Sequence, residues 1–181
     1  DRCVTWTGYA KEKGLRTTFM GWDATRAPLD YAMGVFREIV RQAKPDAIVV
    51  TDSYGLATPF AIYHAFRQFR TAFPDISIEL HIHNEFGMAV GSVVAAVAAG
   101  INGVHTSVNG LGERTGNVPT EEVVACLQMA LGIEMGIDMT QFGRLSRLVQ
   151  QLSRVDVATN KPIVGWRLYK SESGVVTQAI S

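Results

Sequence analysis

Two imidazoles, His81 and His83, stand two residues apart at the end of the β-branched run "ISIELHIHNEFG". Side chains alternate along a strand, so residues i and i+2 share a face. In parallel α/β proteins the carboxyl ends of the strands carry the site. Two neutral rings on one face there can be neighbouring ligands of a divalent cation. They can also be core histidines bonded to backbone, and the pair alone leaves both readings open. A second chemistry-bearing stretch follows the next strand-like run: "NGLGERTGN", residues 109–117. It combines glycines with a carboxylate (Glu113), a guanidinium (Arg114) and two amides (Asn109 and Asn117). It can be an ordinary glycine-rich turn with a Glu113–Arg114 surface pair. If the two strands are adjacent and parallel, however, it lies beside the histidines.

The elements that must position these residues alternate. Strand-like runs cover 15–22, 46–52, 76–84 and 103–110, and helical spacing covers 28–44, 58–73, 86–100 and 119–136. Residues 3–13 read as a preceding helix. Pro28, Pro59 and Pro119 lie near helix starts, where a missing N–H costs nothing. Gly14, Gly100 and Gly136 follow helical runs, as C-caps do. Strands alternating with helices predict βα units on a parallel sheet, with β-branched strands covered on both faces. The unit repeats at roughly 25–31 residues, the pace of a TIM (β/α)₈ barrel of about 250 residues. Four units make half of such a barrel. A flavodoxin-like open sheet is the alternative, and periodicity does not choose between them. Residues 1–137 are thus expected to form a half-barrel. Residues 138–181 read as a helical and irregular linker appendage.

Composition narrows the function classes. The chain has 181 residues, 47% of them hydrophobic, enough for one domain with its own core. With 17 basic and 17 acidic residues and no basic block, no nucleic-acid footprint is visible. The apolar stretch near 88–99 is too short, and too rich in Gly and Ala, to span a bilayer, so no membrane partner is expected. Two cysteines, Cys3 and Cys126, make no disulfide framework or metal spacing. A reducing, cytoplasmic setting is the expectation. The start at Asp1 rather than Met points to a processed, truncated or partly observed chain.

Together, "HIHNEFGMAV" and "SVNGLGERTGNVPTEEVV" resemble the C-terminal half of the DRE-TIM metallolyases. The resemblance is to their Claisen-condensing branch, the 2-isopropylmalate, homocitrate and citramalate synthases. "TTFMGWDATR" resembles that family's fifth strand and "VVTDSYGLATP" its sixth, while "RLVQQLSRVDVATNKPIVG" resembles the start of its linker subdomain. The resemblance implies that His81, His83 and Asn117 contact a divalent metal ion, Zn²⁺, Mn²⁺ or Mg²⁺. It also implies that acetyl-CoA is a cosubstrate and a 2-oxo acid the small-molecule partner. Ser53 falls at the position where the family holds the substrate carboxylate, and Glu113 at one that could orient a base or water. Asn109, Gly110, Gly112 and Arg114 belong to the loop expected to bind the cofactor. The resemblance further implies a dimer of whole barrels. It also implies a chain or segment supplying the first four strands, with an aspartate ligand and an arginine from a D-x-x-x-R-D-G type motif absent here. Without that half the chain is expected to be inactive.

Two departures alter these expectations. Relatives often read F-S-x-E-D at the fifth strand, whereas this chain has Met20 and Trp22 at the polar positions, which makes the pocket floor bulkier and less polar. Trp22 can alternatively be simple packing. Relatives place histidines in an H-x-S-G-I-H type tail; here residues 170–176 contain none, leaving Lys170 or Tyr169 as substitute bases. His64 reads as a surface residue and His105 as a buried structural imidazole. Two other functions stay open: a metal-dependent carbon–carbon lyase or aldolase of the same superfamily, and a catalytically incomplete half-barrel partner subunit.

Overall fold

The computed structural model describes residues 2–171, 173, 174 and 178. They fall into two compact units, Asp1–Pro119 and Thr120–Ser181.

In the first unit, α1 (Arg2–Glu12) leads into four parallel strands. These are β1 (Thr18–Gly21), β2 (Ala47–Asp52), β3 (Ser77–Ile82) and β4 (Gly103–His105), joined in turn by α2 (Leu29–Ala43), α3 (Pro59–Ala72) and α4 (Ala89–Ala98). The sheet order is β1-β2-β3-β4, with every pair parallel. A flavodoxin-like sheet reverses its strand order at a switch point. This order never reverses, which rules out the open-sheet alternative and leaves the sequential order of a barrel wall.

Local chemistry explains the helix boundaries. Thr58 Oγ accepts from the Ala61 N–H at 3.3 Å, and Pro59 occupies the first turn of α3, where it forfeits no hydrogen bond. In the second unit, α5 (Thr120–Ala125) passes into a π-helical turn over Cys126–Ala130. The helix expected over 119–136 stops there because Gly132 takes a left-handed φ of 67°, ending the run earlier than the helix period alone predicts. A short 3₁₀ turn over Met139–Gln141 then starts α6 (Phe142–Ser153), with the Asp138 carboxylate accepting from the Thr140 N–H.

The register sorts the two faces of the sheet. Phe19, Ile48 and Ile78 form one row, and Gly21, Val50, Leu80 and Val104 the next. This face meets the helices: the Phe19 ring lies 5.5 Å from Phe36 of α2, which stands edge-on to Phe69 of α3 at 5.1 Å. Phe36 comes so close to β1 that a Cβ on Gly21 would lie 2.5 Å from its ring. Burying one such side chain stabilises the fold by about 1.5–3 kcal/mol.

The sequence reading expected β-branched strands covered on both faces: β2 is buried throughout, whereas β3 alternates between buried and half-buried residues. Ile48, Val49, Val50, Ile78, Leu80 and Ile82 are all at most 2% exposed. On β3 the half-buried residues are Ser77, Glu79 and His81, and His105, paired with His81 on β4, is half-buried as well. The cause is the period-2 alternation of "ISIELHI", which turns its aliphatic residues to the helices and its polar ones away. Among the described residues, no helix is long and apolar enough to cross a membrane.

Candidate functional site

His81 and His83 do share a face: their ring centroids are 5.1 Å apart, edge to face. His83 is buried, and its Nδ1 lies 2.8 Å from the Ser53 carbonyl oxygen. A carbonyl only accepts, so Nδ1 carries a proton, and in the neutral ring Nε2 keeps its lone pair. A backbone carbonyl holding the far nitrogen is the usual support for a ligating imidazole. His81 differs, because its Nδ1 is buried with no hydrogen-bond partner. Burial pushes the His81 pKa down, and the neighbouring rings of His83 and His105 add to the effect. The ring therefore favours the neutral form a cation requires.

His105 is half-buried rather than buried. Its Nε2 pairs with Glu79 Oε2 at 2.9 Å, and its ring lies 5.6 Å from His81. His64 is exposed, with its ring against Gln68 at 2.7 Å.

The glycine-rich loop reaches the histidines through backbone pairing. His83 and Asn117 form an antiparallel bridge, Asn84 N–H donates to Gly116 C=O at 3.1 Å, and Val118 N–H donates to Ile82 C=O at 3.2 Å. Asn117 is thereby set opposite His83, and its side-chain amide donates only weakly, to Leu111 C=O at 3.4 Å. Two glycines make this closure possible. Gly116 has φ 92°, and a Cβ there would lie 1.9 Å from the Gly110 carbonyl oxygen. A Cβ on Gly112 would meet both the backbone and the side-chain nitrogen of Asn117 at 2.9 Å. Asn109 takes a left-handed φ of 62° just before Gly110. These residues serve the loop's own close packing around Asn117.

Glu113 is exposed, and its Oε2 lies 3.2 Å from Arg114 Nη1. Arg114, also exposed, folds back onto the ends of the strands instead. Its Nε donates to Glu85, its Nη2 donates to the Ser53 carbonyl, and its guanidinium lies 4.9 Å from the Tyr54 ring centroid. Ser53 is buried, and its Oγ accepts from the Asp23 N–H at 2.9 Å, which leaves its own proton to donate. Met20 lies in the row with Val49 and Glu79 on the open face, whereas Trp22 is 71% exposed and touches Tyr54 edge-on. Of the tail residues, Tyr169 is exposed and Lys170 Nζ sits 4.0 Å above the Trp166 ring. Glu172, Val175 and Val176 lie outside the described residues.

Three residues of the site escape the sequence reading. Asp52 is fully buried at the end of β2, where its carboxylate accepts from Leu56 N–H, Ala57 N–H and the Thr25 hydroxyl. The signal was present, since an Asp followed by Ser-Tyr-Gly at a strand end is a side-chain-capped turn. Glu85 and Tyr54 matter only through Arg114, a contact between segments far apart in sequence, and no local pattern announces it.

Among the described residues, no group of three or more His, Cys, Asp or Glu is arranged to hold a metal ion. The two imidazoles nonetheless suit one. His83 keeps Nε2 available by its tautomer, and His81 has a buried nitrogen without a partner. They fit as part of a ligand set.

Comparison with known proteins identifies the family. The HMGL-like family model matches residues 1–149. The chain is 39% identical over 175 residues to a 2-isopropylmalate synthase of Methanocaldococcus jannaschii, covering 97% of this chain and 33% of the relative. It is 35% identical over 178 residues to a homocitrate synthase of Methanothermobacter thermautotrophicus, covering 98% of this chain and 45% of the relative. Among solved structures, a hydroxymethylglutaryl-CoA lyase from Pseudomonas aeruginosa superposes with a TM-score of 0.76 at 20% identity, covering 99% of this chain and 59% of that one. The chain therefore spans less than half the length of these curated relatives, and its four βα units match half of a TIM barrel. By its sequence match and by its fold, the chain belongs to the HMGL-like, or DRE-TIM, family.

Proposed function

We propose that this chain forms part of a larger enzyme that joins the methyl carbon of acetyl-CoA to the carbonyl carbon of a 2-oxo acid. Water then cleaves the thioester and releases coenzyme A. The observation that carries the reading is the meeting of the two histidines with the "NGLGERTGN" loop at the end of β3. The synthase names of the relatives support it. His81, His83 and Asn117 would hold a divalent cation, Zn²⁺, Mn²⁺ or Mg²⁺, whose bound charge would polarise the 2-oxo acid's carbonyl. The remaining ligands, the first four strands and residues 138–181 as a linker complete the proposal.

This chain's own residues have distinct tasks. The Ser53 carbonyl holds the His83 ring in one tautomer. The Ser53 hydroxyl, already accepting from Asp23 N–H, has a proton to give to a substrate carboxylate. Glu113, exposed on the loop and paired with Arg114, would orient a base or a water. The Asn84–Gly116 and Ile82–Val118 hydrogen bonds keep Asn117 in register with His83.

The test uses the full-length protein. Free thiol release from acetyl-CoA is followed with a panel of 2-oxo acids, with and without Mn²⁺, for the natural sequence and for His83→Ala. Condensation by the natural protein is expected, together with loss of most bound metal in the variant. Unchanged metal content in His83→Ala, or no thiol release with any 2-oxo acid, would sink the reading.

A further inference from the structure

The Ser53 carbonyl oxygen accepts from two side chains. One is His83 Nδ1–H, at 2.8 Å. The other is Nη2 of Arg114, which arrives from the glycine-rich loop. The same guanidinium gives Nε to Glu85 Oε1, gives Nη1 to Glu113 Oε2 at 3.2 Å, and lies against the Tyr54 ring. Glu85 is itself pressed against the turn after β2: a Cβ on Gly55 would sit 3.0 Å from Glu85 Oε2 and 2.7 Å from the His83 carbonyl oxygen. The ends of β2 and β3 and the loop after β4 thus converge on one side chain. Arg114 holds this place with a left-handed φ of 55°, an unfavourable conformation for a residue with a Cβ. Only a planar fork can serve a carboxylate and a carbonyl in this way; an ammonium is a point charge.

We infer that Arg114 is a positioning residue. Its fork fixes the Ser53 carbonyl, and that carbonyl holds His83 as the Nδ1–H tautomer with Nε2 presented to the site. Each of its three nitrogens already donates within the protein: Nε to Glu85, Nη1 to Glu113 and Nη2 to Ser53. This set uses three of its five N–H groups. The orientation of His83 does not depend on a cation. The consequence for metal affinity rests on the proposed function above.

The full-length protein, with Arg114→Ala and Arg114→Lys beside it, separates the two claims. Ring ¹⁵N shifts of His83 at neutral pH, without metal, read the tautomer. Titration with Mn²⁺ alone reads affinity, and kcat and KM for acetyl-CoA and the 2-oxo acid are taken at saturating Mn²⁺. The natural sequence should show a single Nδ1–H tautomer, and both variants a mixture. Mn²⁺ affinity should fall on the order of 10- to 100-fold in both, with KM for either substrate largely retained. Lysine should not rescue. A single Nδ1–H tautomer with unchanged Mn²⁺ affinity in folded Arg114→Ala overturns the inference. So does a raised KM at unchanged Mn²⁺ affinity, which would make Arg114 a substrate contact. Should Arg114→Ala fail to fold, Arg114→Lys and Glu85→Gln carry the same measurements. If the natural protein binds no Mn²⁺ while the tautomer still responds, the metal reading falls and the positioning role stands.

Discussion

Substituting Gly116→Ala should dismantle the site while leaving the sheet intact. The new Cβ would lie 1.9 Å from the Gly110 carbonyl oxygen, whereas real Cβ contacts stay above 3.0 Å. Backbone is on both sides of the clash, so no rotamer change relieves it. The two arms of the loop must part by roughly an ångström, and alanine at a φ of 92° adds about 1 kcal/mol or more of strain. Parting the arms strains the Asn84 N–H to Gly116 C=O and Val118 N–H to Ile82 C=O hydrogen bonds, each worth about 0.5–1.5 kcal/mol. Local opening should therefore become easier by about 2–4 kcal/mol, and the loop, not the whole fold, should absorb it. At a factor of ten per 1.4 kcal/mol, the Asn84 and Val118 amides should exchange roughly 30- to 1,000-fold faster. Amides of β2 should be unaffected. Hydrogen exchange on the full-length protein measures all of these together. Gly34→Ala is the contrast: that position lies inside α2, and an added methyl would meet nothing within 4 Å, so alanine should stabilise the helix by about 0.5–1 kcal/mol. Unchanged exchange at Asn84 and Val118 in Gly116→Ala would refute the argument that loop closure holds Asn117 opposite His83.

Further outcomes are expected. The Asp46 carboxyl is held below its ordinary range, first by the Lys11 ammonium and then by the Thr17 N–H. Its stabilising contribution is present above the unfolded carboxylate range of about 3.9 and fades as pH falls through the lowered folded value. Melting temperatures of Asp46→Asn should accordingly fall less between neutral pH and pH 3 than those of the natural protein, and parallel curves would dismiss the effect. With Met20 and Trp22 where relatives often carry a polar pair, kcat/KM should favour pyruvate or an apolar 2-oxo acid over 2-oxoglutarate. Turnover of 2-oxoglutarate alone would contradict this. Expressed alone, residues 1–181 should self-associate or bind a segment carrying the missing strands, because β1 and β4 are the outer strands of the sheet and present unpaired backbone. A compact monomer with a cooperative melt in sedimentation and calorimetry would overturn that expectation.

The alternation of strands and helices was legible because each element carries its own period and punctuation. "DAIVVTD" and "ISIELHI" could be little else than strands, and Pro59 and Gly100 mark boundaries by backbone chemistry alone. The shared face of His81 and His83 follows from the two-residue repeat of a strand, which no tertiary contact can alter. Tertiary structure decided what those periods leave free. The unreversed strand order separated a barrel wall from an open sheet, and it depends on which strands pair rather than on any one of them. The half-exposure of His105 and its bond to Glu79 came from the register of β3 on β4. The place of Arg114 was the least legible. Its sequence neighbour Glu113 offers an adjacent ion pair, yet its stronger partners, Glu85 and the Ser53 carbonyl, belong to strand ends that only the folded sheet brings together. Local sequence fixes which way a side chain leaves the backbone; the pairing of distant strands fixes what it meets there.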